Sequence, residues 1–384
     1  MQHNGFDFAR KKNFGKVKIG KQSCPCCGNQ HHEDKTFWKN LLSEFQETIV
    51  SLIYLLRDSD VAWKTASKIM DYIVPYSKDT LRSLFSRSIE KFEYSQSNYL
   101  IVNYDEQHPK KGRTQKFRLT LLNYKTRTPI AEGLFDNKND ETLEKFLREN
   151  LDTSKEIVLI TDCDRRYPAL FKKIWGGKII HQKCLLHLNK LVSKDFGNNL
   201  TLLNMYNKYL VFNIFYNRKK ELRFLSQLLR KQDKKQFANA DEKKEWIKKA
   251  KQNFYDYLRM LENERRRNEG KLTQRKLSDA KKIFEILWQE KSLFPKKVQK
   301  RLDMIDENWK YFTAFYSVKD CPATNNAVEN YYSTSLKTHR KKQLRTDKGI
   351  LDHMKLTAFK RIQGFAKPKK TIIDIYEKFK LIVT

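Results

Sequence analysis

Residues 99–105 read Tyr-Leu-Ile-Val-Asn-Tyr-Asp, and residues 157–162 read Ile-Val-Leu-Ile-Thr-Asp. Both are short, apolar, β-branched runs ending on an aspartate, the pattern of a buried strand leaving its sheet. Further patterns lie between and after them. Residues 115–124 alternate Phe117, Leu119 and Leu121 with Lys116, Arg118 and Thr120, and residues 129–135 form a third strand-like run. Residues 141–149 carry helical spacing, and a second helix at 168–174 leads to a last strand at 178–182. The expected unit is an antiparallel meander followed by two helical crossovers.

Three strands, helix, strand, helix, strand is the order of a ribonuclease-H-like core. In that fold the first and fourth strands lie side by side, so Asp105 and Asp162 would meet at neighbouring positions. A third acid, Glu329, lies in a stretch of helical spacing that reads Thr-Asn-Asn-Ala-Val-Glu at 324–329. Together the three acids read as one metal site suited to phosphoryl transfer. Cleaving a phosphodiester requires an activated water or hydroxyl, charge neutralisation and a stabilised leaving oxygen. Two Mg²⁺ (or Mn²⁺) ions roughly 3.5 to 4 Å apart supply all three. Hard cations select carboxylate oxygens. Without metal, two such charges 4 Å apart repel by about 4 kcal/mol at an effective dielectric of roughly 20. Asp164, in Thr-Asp-Cys-Asp-Arg at 161–165, is a rival to Asp162, which the strand-end position favours. Glu106 and His108 read as a solvated turn.

Charge points to nucleic acid. Lysine and arginine total 78 against 45 acids, for a net +33 and a pI near 9.8, far beyond the roughly 2 to 8 charges that solubility requires. Such a surplus concentrates polyanions and makes binding steeply salt-dependent. No apolar run approaches the roughly 18 residues of a spanning helix, and no signal-peptide pattern opens the chain. A protein of the cytoplasm that contacts no membrane is expected, nucleoid-associated in a prokaryotic host.

The six cysteines suggest no disulfide framework. Cys24 and Cys27 have the C-x-x-C spacing that lets two thiolates grip one tetrahedral Zn²⁺, with the turn closed at Gly28. His31 or His32 could supply further ligands, and Cys26 could replace a cysteine; a reduced, metal-free loop is the alternative. Residues 36–92 become helical. Trp38, Leu41, Leu42, Phe45, Ile49, Leu52, Ile53 and Leu56 describe one long amphipathic helix. A shorter helix from about Val61 to Ile73 follows, and Ser77 would cap another carrying Leu81, Leu84, Phe85 and Ile89. This reads as a helix-turn-helix that presents Lys78, Arg82, Ser83 and Arg87 to a major groove, or as a plain three-helix unit with a basic face.

Four features together resemble the DDE transposases of the Mutator-like superfamily and their prokaryotic insertion-sequence relatives. These are Asp105 after the first strand, Asp162 after the fourth, a C-x-x-H element of Cys184 and His187 after the fifth, and Glu329 in its asparagine-rich setting. The resemblance spans about residues 99–345. It implies Asp105 bridging both metal ions, Asp162 holding one and Glu329 the other, with His187 beside them contacting DNA or positioning the phosphate. Read without the family, Cys184 and His187 could simply pack the start of a helix. The resemblance also implies an all-helical insertion between Asp162 and Glu329. Leu222, Leu225, Leu228 and Leu229 on one face, and Phe254, Tyr257, Leu258 and Leu261 on another, agree with it.

The expected division is a basic segment with a zinc knuckle at 1–35 and a helix-turn-helix-like unit at 36–95. The first part of the catalytic core follows at 96–190, the insertion at 191–318, the glutamate helix at 319–348 and a C-terminal helical segment at 349–384. After Glu329, the basic run of Arg340, Lys341, Lys342 and Arg345 would bind element-end phosphates. The functional expectation is a DNA transposase of an insertion sequence. It would bind terminal inverted repeats, cleave the element ends by metal-dependent hydrolysis and join the 3′-hydroxyl ends to target DNA, as a homodimer or larger synaptic assembly. A ribonuclease-H-like structure-specific nuclease would cut without joining. A domesticated sequence-specific DNA-binding protein would keep the fold without the chemistry.

Overall fold

The computed structural model describes residues 2–11, 15–32, 36–94, 98–108, 116–197, 200–267, 274–344 and 346–365. The chain opens with a three-stranded antiparallel sheet of β1 (Gln2–Lys11), β2 (Gly15–Ser23) and β3 (Gln30–His32), in that order. The sequence reading assigned no strands here. The period-two spacing of Phe6 with Phe8 and of Val17 with Ile19 was the available signal.

Three helices follow: α1 (Thr36–Asp58), α2 (Trp63–Met70) and α3 (Lys78–Glu90). Ser77 caps α3 as expected, its hydroxyl accepting the Thr80 N–H at 3.1 Å. Ile49, Ile53, Ala66, Met70, Leu81, Phe85 and Ile89 bury together, and Leu356 and Ala358 from the far end of the chain join the same core.

The central sheet has five strands in the order β6 (Pro129–Phe135), β5 (Phe117–Asn123), β4 (Ile101–Gln107), β7 (Ile157–Thr161), β8 (Ile179–Lys183). The first three strands in the chain are antiparallel, while β4, β7 and β8 run parallel. This mixed sheet has the strand sequence and neighbours read from the chain. Helices α4 (Asp140–Asn150) and α5 (Tyr167–Trp175) cover one face. There Val102, Tyr104, Ile157 and Leu159 pack with Leu143, Leu147, Phe171 and Trp175. The alternate residues Ile101, Val158 and Ile160 point the other way, into a core shared with Leu185, Leu188 and Val192, as period two requires.

Those last three residues belong to α6 (Leu185–Phe196), which starts the helical insertion. It continues through α7 (Leu202–Phe212), α8 (Lys219–Lys234), α9 (Ala240–Arg267), α10 (Leu277–Gln289), α11 (Lys296–Glu307) and the short α12 (Trp309–Thr313). Among the described residues the only β-pairing there is an isolated bridge between Tyr216 and Gln274. Glu221, with no exposed surface, is held by Arg218 at 2.9 Å and Arg265 at 2.6 Å. The chain returns to the sheet through α13 (Asn326–Ser335), α14 (Thr338–Gln343) and α15 (Asp347–Ile362). Helix α15 packs against α1 and α3, and also touches β6 and α13, so it belongs as much to the N-terminal helical unit as to the sheet. Residues beyond 365, including the expected last helix, lie outside the described part.

Candidate active site

Strands β4 and β7 are paired with Ile101 opposite Val158, Val102 opposite Leu159 and Asn103 opposite Ile160. Extending that parallel register two residues along both chains brings Asp105 level with Asp162. By alternation both aspartates share the face of Ile101 and Val158, the one toward α6, and not the face packed by α4 and α5. Strand β4 does not stop at Asp105 as expected. It runs on to Gln107 because β5 keeps pairing with it, Gln107 opposite Arg118, after β7 has ended. Asp105 therefore stands in the notch left where its parallel neighbour terminates.

The two carboxyls are strained electrostatically. One oxygen of Asp105 accepts the Glu106 N–H at 2.8 Å. Burial pushes its acid up to about 7, outweighing that N–H, and the negative charges of Asp162, Glu329 and Glu106 push the same way. Asp162 is also raised, by burial first, against the Asp164 N–H that its Oδ1 accepts at 2.9 Å and against His187. The rival Asp164 is engaged elsewhere. Burial would raise it, but Arg166, at 2.8 Å, wins and holds it below the usual range.

Glu329 arrives on α13, and a buried asparagine fixes that helix. Asn325, with no exposed surface, accepts from Asn103 Nδ2 at 2.7 Å and donates from its own Nδ2 to the Tyr104 carbonyl at 2.8 Å. Its backbone N–H donates to the Cys184 sulfur at 3.1 Å. Cys184 in turn donates its N–H to the Thr161 carbonyl at 2.9 Å, just before Asp162. Burial pushes the Cys184 thiol up to about 11, so it is a neutral fastener. One turn on, His187 Nε2 lies 3.7 Å from Glu329 Oε1, and Lys190 Nζ lies 2.7 Å from the same oxygen. Burial, then Lys190, hold the His187 imidazole below its ordinary range, against Asp162 and Glu329. The C-x-x-H element thus divides its labour: the cysteine packs, as the plainer reading had it, and the histidine faces the glutamate.

On the next turn of α13, Tyr332 donates its hydroxyl to the Asp105 carbonyl at 2.7 Å, and Tyr331 donates to Glu132 at 2.7 Å. Glu132 also receives Arg118 Nε at 2.9 Å and Thr120 Oγ1 at 3.0 Å, with Arg118 and Glu132 side chains both wholly buried. Asn103, Asn325, Lys190, Tyr332 and the Arg118–Glu132 pair escaped the sequence reading. Only the asparagine-rich setting of Glu329 hinted at them.

Several expected residues stand differently. Glu106 is no solvated turn: its alternation points it to the α5 face, where it accepts from Tyr104 at 3.1 Å, Tyr167 at 2.8 Å and Lys138 at 2.5 Å. His108 is exposed, its ring 4.7 Å from that of Phe117. Arg340, expected on DNA, is buried, pairing with Asp60 and donating to the Arg57 carbonyl at 2.6 Å. Lys341 donates to the His108 carbonyl at 3.3 Å. The Lys342 side chain and Arg345 lie outside the described residues. Lys78, Arg82, Ser83 and Arg87 are all on the exposed face of α3, Arg82 beside Trp63 at 5.9 Å.

At the N-terminal turn, the N–H groups of Cys26 and then Cys27 hold the Cys24 thiol below its usual range. Gly28, at φ +69°, donates to the Cys24 carbonyl at 2.9 Å and closes the turn. This is a two-thiol geometry that suits zinc. His31 and His32 are successive residues of β3 and point to opposite faces, so at most one could join it. The notch offers hard oxygen donors whose mutual repulsion a divalent cation would relieve. Among the described residues, however, no three His, Cys, Asp or Glu side chains are gathered as a metal cage, at either place. In the notch, Glu329 is committed to Lys190.

No family model matches the chain. Over 108 residues it is 32% identical to the "Insertion element ISM1 uncharacterized 48.3 kDa protein" of Methanobrevibacter smithii, a span covering 28% of this chain and 25% of that protein. The chain is thus similar to an insertion-element protein across about a quarter of that relative's length. Among the described residues no helix is long and apolar enough to cross a membrane.

Proposed function

We propose that the protein is a DNA transposase of the DDE type, carrying Mutator-like chemistry on a ribonuclease-H-like core, with Asp105, Asp162 and Glu329 as its metal-binding acids. The observation that carries this reading is the parallel β4–β7 register, which levels two half-buried aspartates on one face, where Glu329's charge acts on Asp105. The similarity to an insertion-element protein supports the same class.

Bound Mg²⁺ or Mn²⁺ would activate the attacking water or 3′-hydroxyl and neutralise the transferring phosphoryl group. The chain's own residues do the rest. Asp105 and Asp162 offer oxygens from adjacent strands, while Tyr332 locks the Asp105 backbone to the helix of Glu329. For Glu329 to join the aspartates it must release Lys190, whose ammonium then remains beside the phosphate. His187, kept neutral by burial and Lys190, can orient Glu329 or a scissile oxygen. In this reading α3 meets duplex DNA at the terminal inverted repeats, Cys24 and Cys27 hold a structural Zn²⁺, and two or more copies synapse the ends.

The test is a cleavage and strand-transfer assay with purified full chain, Mg²⁺ and labelled duplex carrying the inverted repeats that flank the gene. Cleavage at the repeat ends with joined products supports the proposal. Cutting without joining favours a structure-specific nuclease, and binding without cutting leaves a DNA-binding protein.

A further inference from the structure

Between the loop that follows β7 and the length of α11, with the end of β8 at its back, lies an open cavity of about 650 Å³. Arg165, Lys183, Lys296 and Lys300 line it, with Asp303 and Glu307 as its acids. Asp303 is already neutralised by Lys291, so the lining carries a clear cationic surplus. Among the described residues, none of these four cations forms an ion pair. Lys296 and Lys300 are one turn apart on α11, a spacing at which like charges repel, and they sit at the positive end of that helix. Lys183 is stranger still. Its residue is only 1% exposed, and its ammonium touches neutral groups, Asn308 Oδ1 at 2.9 Å and the Tyr311 ring at 5.7 Å, while the charges of Asp162 and Asp164 reach it without an ion pair. Buried ammonium groups are ordinarily matched by an anion.

Position decides which anion. Arg165 lies in the same short loop as Asp162, and the Asp162 and Asp164 charges act on the Lys183 ammonium. The cavity, whose Lys183 shares the α5 face of the sheet with His181, therefore reaches the notch around the end of β7 and extends from there toward the insertion. A free anion would need no such continuity, whereas a polymer with a charge at each step would use both places at once. We propose that this cleft holds the phosphate backbone of the DNA strand leading into the notch, with Lys296 and Lys300 meeting phosphates at its mouth and Lys183 at its back. The inference rests on the nucleic-acid reading above and adds a second contact surface, formed jointly by the α/β core and the helical insertion.

The test measures binding of the full chain to a labelled duplex in EDTA, across a salt series, so that hydrolysis plays no part. Lys296→Glu with Lys300→Glu should weaken binding about tenfold or more and flatten the log–log salt dependence by about 2, since each lost phosphate contact removes roughly 0.9. Lys248→Glu with Lys249→Glu makes the same charge change on the exposed face of α9. It should leave affinity within about threefold and the slope nearly intact. Lys183→Met should flatten the slope by about 1; if that variant does not fold, the exposed pair decides alone. Unchanged binding in the cleft pair, or equal losses in both pairs, overturns the cleft. A wild-type chain that binds no DNA overturns the underlying reading as well, which separates the two failures.

Discussion

Cysteine and histidine come close together twice in this chain, at residues 24–32 and 184–187, and the fold treats them in opposite ways. At the first place the thiols are near the surface, and N–H groups aimed at Cys24 favour its thiolate. At the second, Cys184 has no exposed surface, and burial pushes its thiol up to about 11 although the N–H groups of Asn325, His187 and Leu186 are aimed at its sulfur. Spacing alone would call both metal-like. Backbone donors face the sulfur in both places, and what separates them is solvent: an open turn in one case, the packed junction of two strands and two helices in the other. The buried cysteine pins the junction beside the acids, and the exposed turn is where the proposed zinc ion would bind.

That contrast can be broken most severely at the acids. Asp105→Asn, Asp162→Asn or Glu329→Gln should each lower Mg²⁺-dependent cleavage by about a thousandfold or more, with DNA affinity little changed because shape is kept. Full strand-transfer activity in any one variant removes that residue from the site. The next effect is on stability. A carboxyl whose folded value is about 7, above its unfolded value near 3.8, favours folding less as pH climbs between those limits, because the native state holds its proton longer. In EDTA, urea unfolding should find Asp105→Asn more stable than wild type at pH 8 by up to about 4 kcal/mol, with the gap closing by pH 4. A gap that is the same at both pH values would show that Asp105 is not held in a desolvated notch.

A smaller loss, about 2 to 4 kcal/mol, is expected for Asn325→Ala, which strands the Asn103 amide and the Tyr104 carbonyl in the interior. Equal unfolding midpoints for this variant and wild type would remove the asparagine clip. The mildest change belongs to the exposed motif. Cys24→Ser with Cys27→Ser should abolish about one bound zinc per chain and leave unfolding of the central sheet within about 0.5 kcal/mol. Zinc content that survives the double substitution would disprove the thiol site. Native-state thiol titration sharpens the whole comparison: Cys26 should react at once, Cys27 once zinc has been chelated, and Cys184 only after unfolding.

The central sheet was legible because its strands announce themselves locally. Residues 157–161 form a run that is β-branched except at Leu159, and residues 117–121 alternate with period two, so the order of elements was readable locally, and the Asp105–Asp162 adjacency came from the ribonuclease-H-like arrangement that this order matches. The insertion was legible for the same reason, through leucine and aromatic spacing. The supports of the site were not. Nothing near Arg118 in the sequence says that its guanidinium will be sealed against Glu132, because that burial depends on α13 arriving some two hundred residues later. Arg340 misled in the same manner: a basic run normally marks a solvated face, and only Asp60, on the loop after α1, turns this member inward. The N-terminal sheet was overlooked because only Phe6 with Phe8 and Val17 with Ile19 mark the alternation in its two long strands.

Helix α15 completes the buried cluster of α1, α2 and α3, with Leu356, Ala358 and Phe359 meeting Tyr54, Phe85 and Phe92. On a ribosome, those early helices emerge long before the segment that seals them. Their shared apolar face is completed only after the sheet and the insertion have been synthesised. The surface bearing Lys78, Arg82 and Arg87 therefore gains its final support from a segment made well after it.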